Sequence, residues 1–134
     1  MKDSIRDTYV KYLSSLDWNV FGTFTHLIPR TEKYNCNLIS NYYDKNSNLI
    51  DRMFYVIEKH KNSNSYHTHF LLKTICINEL NKSTSLLKRY IDIDLREINN
   101  DILSDDGKSL RVSYYLTKDI HKGGEYGFLG TLLL

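Results

Sequence analysis

The stretch Tyr66-His67-Thr68-His69-Phe70-Leu71-Leu72 constrains this chain most. It is a run of aromatic, β-branched and aliphatic residues broken only by two histidines, two positions apart. Such a run favours a strand, and successive strand side chains point to opposite faces. His67 and His69 therefore share one face, while Tyr66, Thr68 and Phe70 share the other. Two imidazoles on one face of a rigid strand can bind one metal ion together. The plain alternative is a solvated strand face carrying two incidental histidines.

The totals set the frame. A chain of 134 residues that is 41% hydrophobic and 25% charged reads as one globular domain, 1–134, long enough for a real core. Its net charge of +2 carries no bulk basic signal, so a nucleic-acid surface would have to come from local clustering. Cys36 and Cys76 do not form a metal-type C-x-x-C pair, and the simplest expectation is a reduced, cytoplasmic protein. Residues 1–10 show no apolar signal-peptide core, and no run approaches the roughly 20 apolar residues of a membrane span. No membrane partner is expected. The apolar stretch 128–134 is too short to span and reads as a buried strand or a homodimer contact.

In chain order, Ile5, Tyr9, Leu13 and Leu16 recur at helical spacing, predicting an amphipathic helix over 3–16. Val20 to His26 is rich in aromatic and β-branched residues and predicts a strand ending before Pro29. Residues 31–50 predict a helix fraying into the loop 44–48. Arg52 to Glu58 predicts a second strand. The turn-forming residues 61–65 join it to the histidine strand as an antiparallel hairpin over 52–73. A helix is expected over 78–91, with Leu80, Leu86, Leu87 and Tyr90 as its apolar positions. Residues 91–95 alternate apolar and charged, the pattern of a half-exposed strand. Leu110 to Ile120 has helical spacing, Gly123-Gly124 breaks it, and 125–133 reads as a last strand. Helices interspersed with a mostly antiparallel sheet predict an α+β fold of the ferredoxin-like kind, also seen in RRM-type modules. Its helices would pack on one face, leaving the other open for an active site.

Glu58 falls at the end of the strand that should pair with the histidine strand. A carboxylate beside two imidazoles makes a 2-His-1-carboxylate set with coordination positions left open. That mixture suits Mn²⁺ or Mg²⁺ acting on a phosphate and does not exclude Zn²⁺. His60, two residues on from Glu58, is a reserve ligand. Downstream, Tyr115 and Lys118 are three apart and share one side of a helix. A phenol with an ordinary pKa of about 10 is a poor nucleophile at neutral pH. A polarised phosphate and a nearby cation make it a useful one. With eleven tyrosines in the chain, a chance Tyr-x-x-Lys pair is the plain alternative.

Taken in order, Phe21-Gly22-Thr23-Phe24-Thr25, then Glu58 with His67-Thr68-His69, then Tyr115-x-x-Lys118 resembles the HUH endonuclease superfamily. Within it, the chain looks like the single-tyrosine replication initiators (Rep) of rolling-circle plasmids and small DNA viruses. The resemblance runs from about residue 18 to 119. It implies a metal held by Glu58, His67 and His69 beside the scissile phosphate of single-stranded origin DNA. It further implies attack by Tyr115, a 5′-phosphotyrosyl bond and a free 3′-OH. Lys118 would orient the tyrosine or the phosphate, and reversal would rejoin ends without ATP. Exposed aromatic rings would stack on unpaired bases. Arg30, Lys33, Lys73, Arg89 and Arg111 are candidate phosphate contacts beside the reading of ordinary surface charge. His26 and His121 could approach the site, but read more simply as surface histidines.

The chain departs from the pattern in places. Thr68 stands where the family usually has a bulky apolar residue. Tyr114 precedes Tyr115, and spacing to Lys118 selects Tyr115. The only Gly-Gly, at 123–124, lacks the following Lys-Ser/Thr of an ATP-binding loop, so a separate helicase and polymerase are implied. The nearest rival is an insertion-sequence transposase with one tyrosine, which usually carries Gln rather than Lys at the helical spacing. A relaxase fits less well, because relaxases are longer and usually have a third histidine in the metal cluster. Outside the superfamily stand a non-catalytic nucleic-acid-binding module and a metal-dependent hydrolase that uses water.

Overall fold

The computed structural model describes residues 8, 9, 11–13, 15–60, 64–87, 91–98 and 125–130. They form an α+β fold in which five strands make one antiparallel sheet. The elements are β1 (Val20–His26), α1 (Glu32–Lys45), β2 (Ile50–Lys59), β3 (Tyr66–Thr74), α2 (Ile77–Ser85), β4 (Ile91–Glu97) and β5 (Tyr126–Gly130). The sheet order is β4-β1-β3-β2-β5. The first six elements thus follow the ferredoxin-like β-α-β-β-α-β order, with β5 added beside β2. The histidine strand β3 lies in the middle, flanked by β1 and β2.

Local chemistry sets the element ends. Thr31 caps α1, its Oγ1 accepting from the Tyr34 N–H at 3.0 Å, and Pro29 stands just before it. Asn35, Ile39 and Tyr42 form the buried stripe of α1. In α2, Leu80 and Thr84 are buried one turn apart, and Thr84 Oγ1 meets Tyr42 Oη at 2.7 Å, tying the two helices together. The helix expected over 78–91 is therefore shorter: it ends at Ser85, and Leu86 is exposed. Leu86 and Leu87 mimic helical spacing, but only Leu87 packs toward the core. β4 alternates as expected, with Ile91 and Ile93 buried and Asp92 and Asp94 exposed. Charged side chains suit a sheet edge.

The two sheet faces carry different cores. Val20, Phe24, Met53, Phe70, Leu72, Ile91 and Ile93 pack under α1 and α2 with Ile39, Tyr42 and Leu80. On the opposite face, Phe54, Val56 and Leu71 cluster with Leu13, Trp18 and Ile98. Described residues between 8 and 15 are helical, as expected there, and Tyr9 joins this second cluster. The second face is therefore partly roofed rather than bare. No helix among the described residues is long and apolar enough to cross a membrane.

Gly22 has a steric reason. It sits directly across from Phe70, and a Cβ there would collide with that ring. The ring fills the space a side chain would take and packs on Phe24 and Tyr42. Gly22→Ala is expected to destabilise the fold by about 1–3 kcal/mol, the usual cost of overpacking. Phe70→Leu removes the ring, so the double variant should lose less than the sum of the two singles. Urea unfolding of the four proteins measures both effects.

Candidate metal centre

Register builds the site. In the β2–β3 hairpin, Glu58 is directly opposite His67, and Val56 is opposite His69. On the other side of β3, Thr23 of β1 is opposite His69. Directly paired residues share a face, and period two carries the face along each strand. Glu58, His67, His69 and Thr23 therefore meet on the face turned away from α1 and α2.

The distances agree. The Nε2 atoms of His67 and His69 are 3.0 Å apart. Glu58 Oε2 lies 3.4 Å from His67 Nε2 and 3.6 Å from His69 Nε2. Three donors bound to one ion at 2.0–2.2 Å are separated by about 3.0–3.5 Å, for octahedral or tetrahedral angles. These three residues form a group that could hold a metal ion. Glu58 and His69 are buried, and the His67 side chain is 14% exposed. A buried carboxylate facing two imidazole nitrogens concentrates lone pairs, an arrangement that a cation relieves.

Supporting contacts aim the rings. His69 Nδ1 is 3.0 Å from Thr23 Oγ1. When Nδ1–H donates to that hydroxyl, Nε2 keeps its lone pair for the site, the usual means of orienting a metal-binding histidine. Phe21 packs against the His69 ring. The His67 ring stands between His69, nearly perpendicular to it, and His60, whose ring centroid is 4.2 Å away. His60 thus packs at a tilt on His67 and lies outside the group that could hold a metal. Partial desolvation, and then the neighbouring His67, push its imidazole below the ordinary value.

The remaining sequence candidates are placed as follows. Arg30 accepts a backbone hydrogen bond from the Tyr66 N–H, which sets its loop beside the start of β3, and its guanidinium lies over the Tyr34 ring. Lys33 is exposed on α1. Lys73 pairs with Asp17 at 2.8 Å, at the far end of β3 from His67. His26 is half-buried, with Nε2 2.8 Å from Asn35 Oδ1. Tyr114, Tyr115, Lys118, Arg89, Arg111, His121 and the segment 131–134 lie outside the described residues. Sequence reasoning missed Thr23 as a support for His69, although it stood inside the first motif. It also missed Asn35, for which a single asparagine in a polar segment offers no signal. Comparison with protein-family models, with curated proteins and with solved structures finds no match.

Two outcomes are expected. Mn²⁺ at about 100 times its Kd should stabilise the protein by about 2.7 kcal/mol, reversed by EDTA and absent in Glu58→Gln, as read by thermal unfolding. Burial lowers the His26 pKa below 6.5, against the opposing pull of its hydrogen bond to Asn35, and the neighbouring Arg30, His67 and His60 add to the lowering. The folded state then resists protonation that the unfolded chain accepts, so stability is full above about pH 6.5 and falls as pH drops through the folded value. His26→Gln, which keeps an amide donor for Asn35, should flatten that fall in urea titrations across pH.

Proposed function

We propose that this chain is a metal-assisted endonuclease and strand-joining enzyme acting on single-stranded DNA, of the kind that opens rolling-circle replication. The observation that carries the reading is the convergence of Glu58 Oε2 with the Nε2 atoms of His67 and His69 within 3.6 Å, with His69 oriented by Thr23. Two motifs that stand far apart in the sequence meet at one point on the sheet. The third, Tyr115-x-x-Lys118, enters from the resemblance alone.

Bound at the triad, Mn²⁺ or Mg²⁺ would supply Lewis acidity toward a phosphate oxygen. The chain's own residues do the rest. Glu58 and the two histidines fix where the phosphate is held, and the apolar neighbours Phe21 and Val56 limit water there. The Tyr115 oxygen attacks phosphorus, the P–O3′ bond breaks, and the departing 3′ oxygen takes up a proton. The 5′ phosphate stays on tyrosine. Attack by a 3′-OH on that linkage reverses the step and rejoins strands. Lys118 offsets the charge that develops on the phenol. Arg30 and Lys33 would contact flanking phosphates. A separate helicase would open the duplex and a polymerase would extend the 3′-OH.

The test uses labelled single-stranded oligonucleotides spanning a candidate origin, with Mn²⁺, on a denaturing gel. A covalent protein–DNA band is expected. It should vanish in Tyr115→Phe and in His69→Ala, survive in Tyr114→Phe, and weaken by about 10²-fold or more in Lys118→Ala, as when one charge-stabilising group is removed. Cleavage without an adduct would replace this reading with a water-using hydrolase. Binding that is indifferent to EDTA, with no cleavage, would replace it with a binding module.

A further inference from the structure

Behind the histidine strand, on the helix side of the sheet, a single amide joins three elements. Asn35 of α1 is wholly buried, as is Thr68 of β3. Asn35 Oδ1 accepts from Thr68 Oγ1 at 2.7 Å and faces His26 Nε2 of β1 at 2.8 Å. Asn35 Nδ2 donates to the carbonyls of Thr31 at 2.9 Å and Tyr66 at 3.2 Å. A side-chain amide has two acceptor and two donor positions, and all four are used. With His26 donating from Nε2–H, no group in the set competes for the same proton.

Thr68 is the residue between the two histidines. Its side chain points away from the ligands, so any rotation of the strand about its axis at this position moves His67 and His69 together. Such a rotation shifts both Nε2 atoms against Glu58 Oε2 of the neighbouring strand, which lies 3.4 Å and 3.6 Å from them. A bulky apolar residue at 68 would pack against α1 without a preferred direction. A hydroxyl bonded to a saturated amide has one.

We propose that Asn35 is a positioning residue for the metal-binding strand, acting through the Thr68 hydroxyl from the face opposite the ligands. The proposal rests on reading Glu58, His67 and His69 as metal ligands. Thr23 then holds His69 from the front of the sheet while Asn35 holds the strand from behind. The threonine between the histidines has its partner in Asn35, and the two function as a pair.

The experiment compares the whole chain with Thr68→Val and Thr68→Ser. Mn²⁺ affinity is measured by calorimetry well below the unfolding midpoint, and apoprotein melting is measured in EDTA. Val keeps the shape and loses the hydroxyl. Its affinity should fall by about 10-fold or more, as for other supports behind a metal ligand. Ser keeps the hydroxyl and loses a methyl. Its melting should fall while its affinity stays close to that of the parent. Asn35→Leu should match Val in affinity, and if it does not fold, the two Thr68 variants carry the comparison. Parent-like affinity in Thr68→Val overturns the positioning role and leaves the metal reading intact. So does a loss in both variants that merely follows their melting. If the parent chain itself binds no Mn²⁺, the metal reading falls and this inference falls with it.

Discussion

The register between β2 and β3 is the constraint on which the site depends. Glu58 meets His67 because the hairpin pairs them directly, and the same pairing puts Val56, not a second carboxylate, opposite His69. A slip of one residue would turn every side chain of one strand to the other face. Glu58 would then face α1, and Val56 and Phe54 would leave the cluster they share with Leu71 and Trp18. The apolar pattern that buries both faces therefore also holds the three candidate ligands in place. Core and site are specified by one alternation.

Position in the sheet adds rigidity. β3 is the central strand, so its backbone is hydrogen-bonded on both sides. Its left and right neighbours each supply one contact to the site, Thr23 from β1 and Glu58 from β2. The second apolar cluster lies on the same face and lowers the local polarity beside the triad. Charge interactions with a bound cation are stronger in such surroundings than in water. The roofing by Leu13 and Trp18, on the face that was expected to stay open, therefore suits a cation site rather than blocking it.

What was legible follows from the range of each signal. Period-two alternation and the turn residues around 61–65 were local, and they located the hairpin and the face shared by the histidines. The helix–strand order was enough for the ferredoxin-like class, because few antiparallel arrangements accommodate it. Helix length was not legible past Ser85, since Leu86 and Leu87 keep a helical spacing in a segment that is already turning toward β4. Lys73 looked like a free cation until the fold brought Asp17 to it. Asn35 was invisible because its four partners lie in β1, in β3 and at the start of α1, and only tertiary structure gathers them.

Thr68 shows how such a gap misleads. Judged as a strand residue facing a helix, it is too small and too polar, and it weakens the likeness to an apolar position between two histidines. Judged with Asn35, it is one half of a satisfied buried pair. An unpaired buried hydroxyl costs about 1–3 kcal/mol, whereas a paired one is close to neutral and adds direction. Glu58, His67 and His69 belong to one hairpin, so the three candidate ligands can be assembled without β1 or α1. Those outer elements touch the histidine strand at two positions, beside His69 and behind Thr68. Thr23 and Asn35 occupy those two positions, one on each face of the strand that carries both histidines.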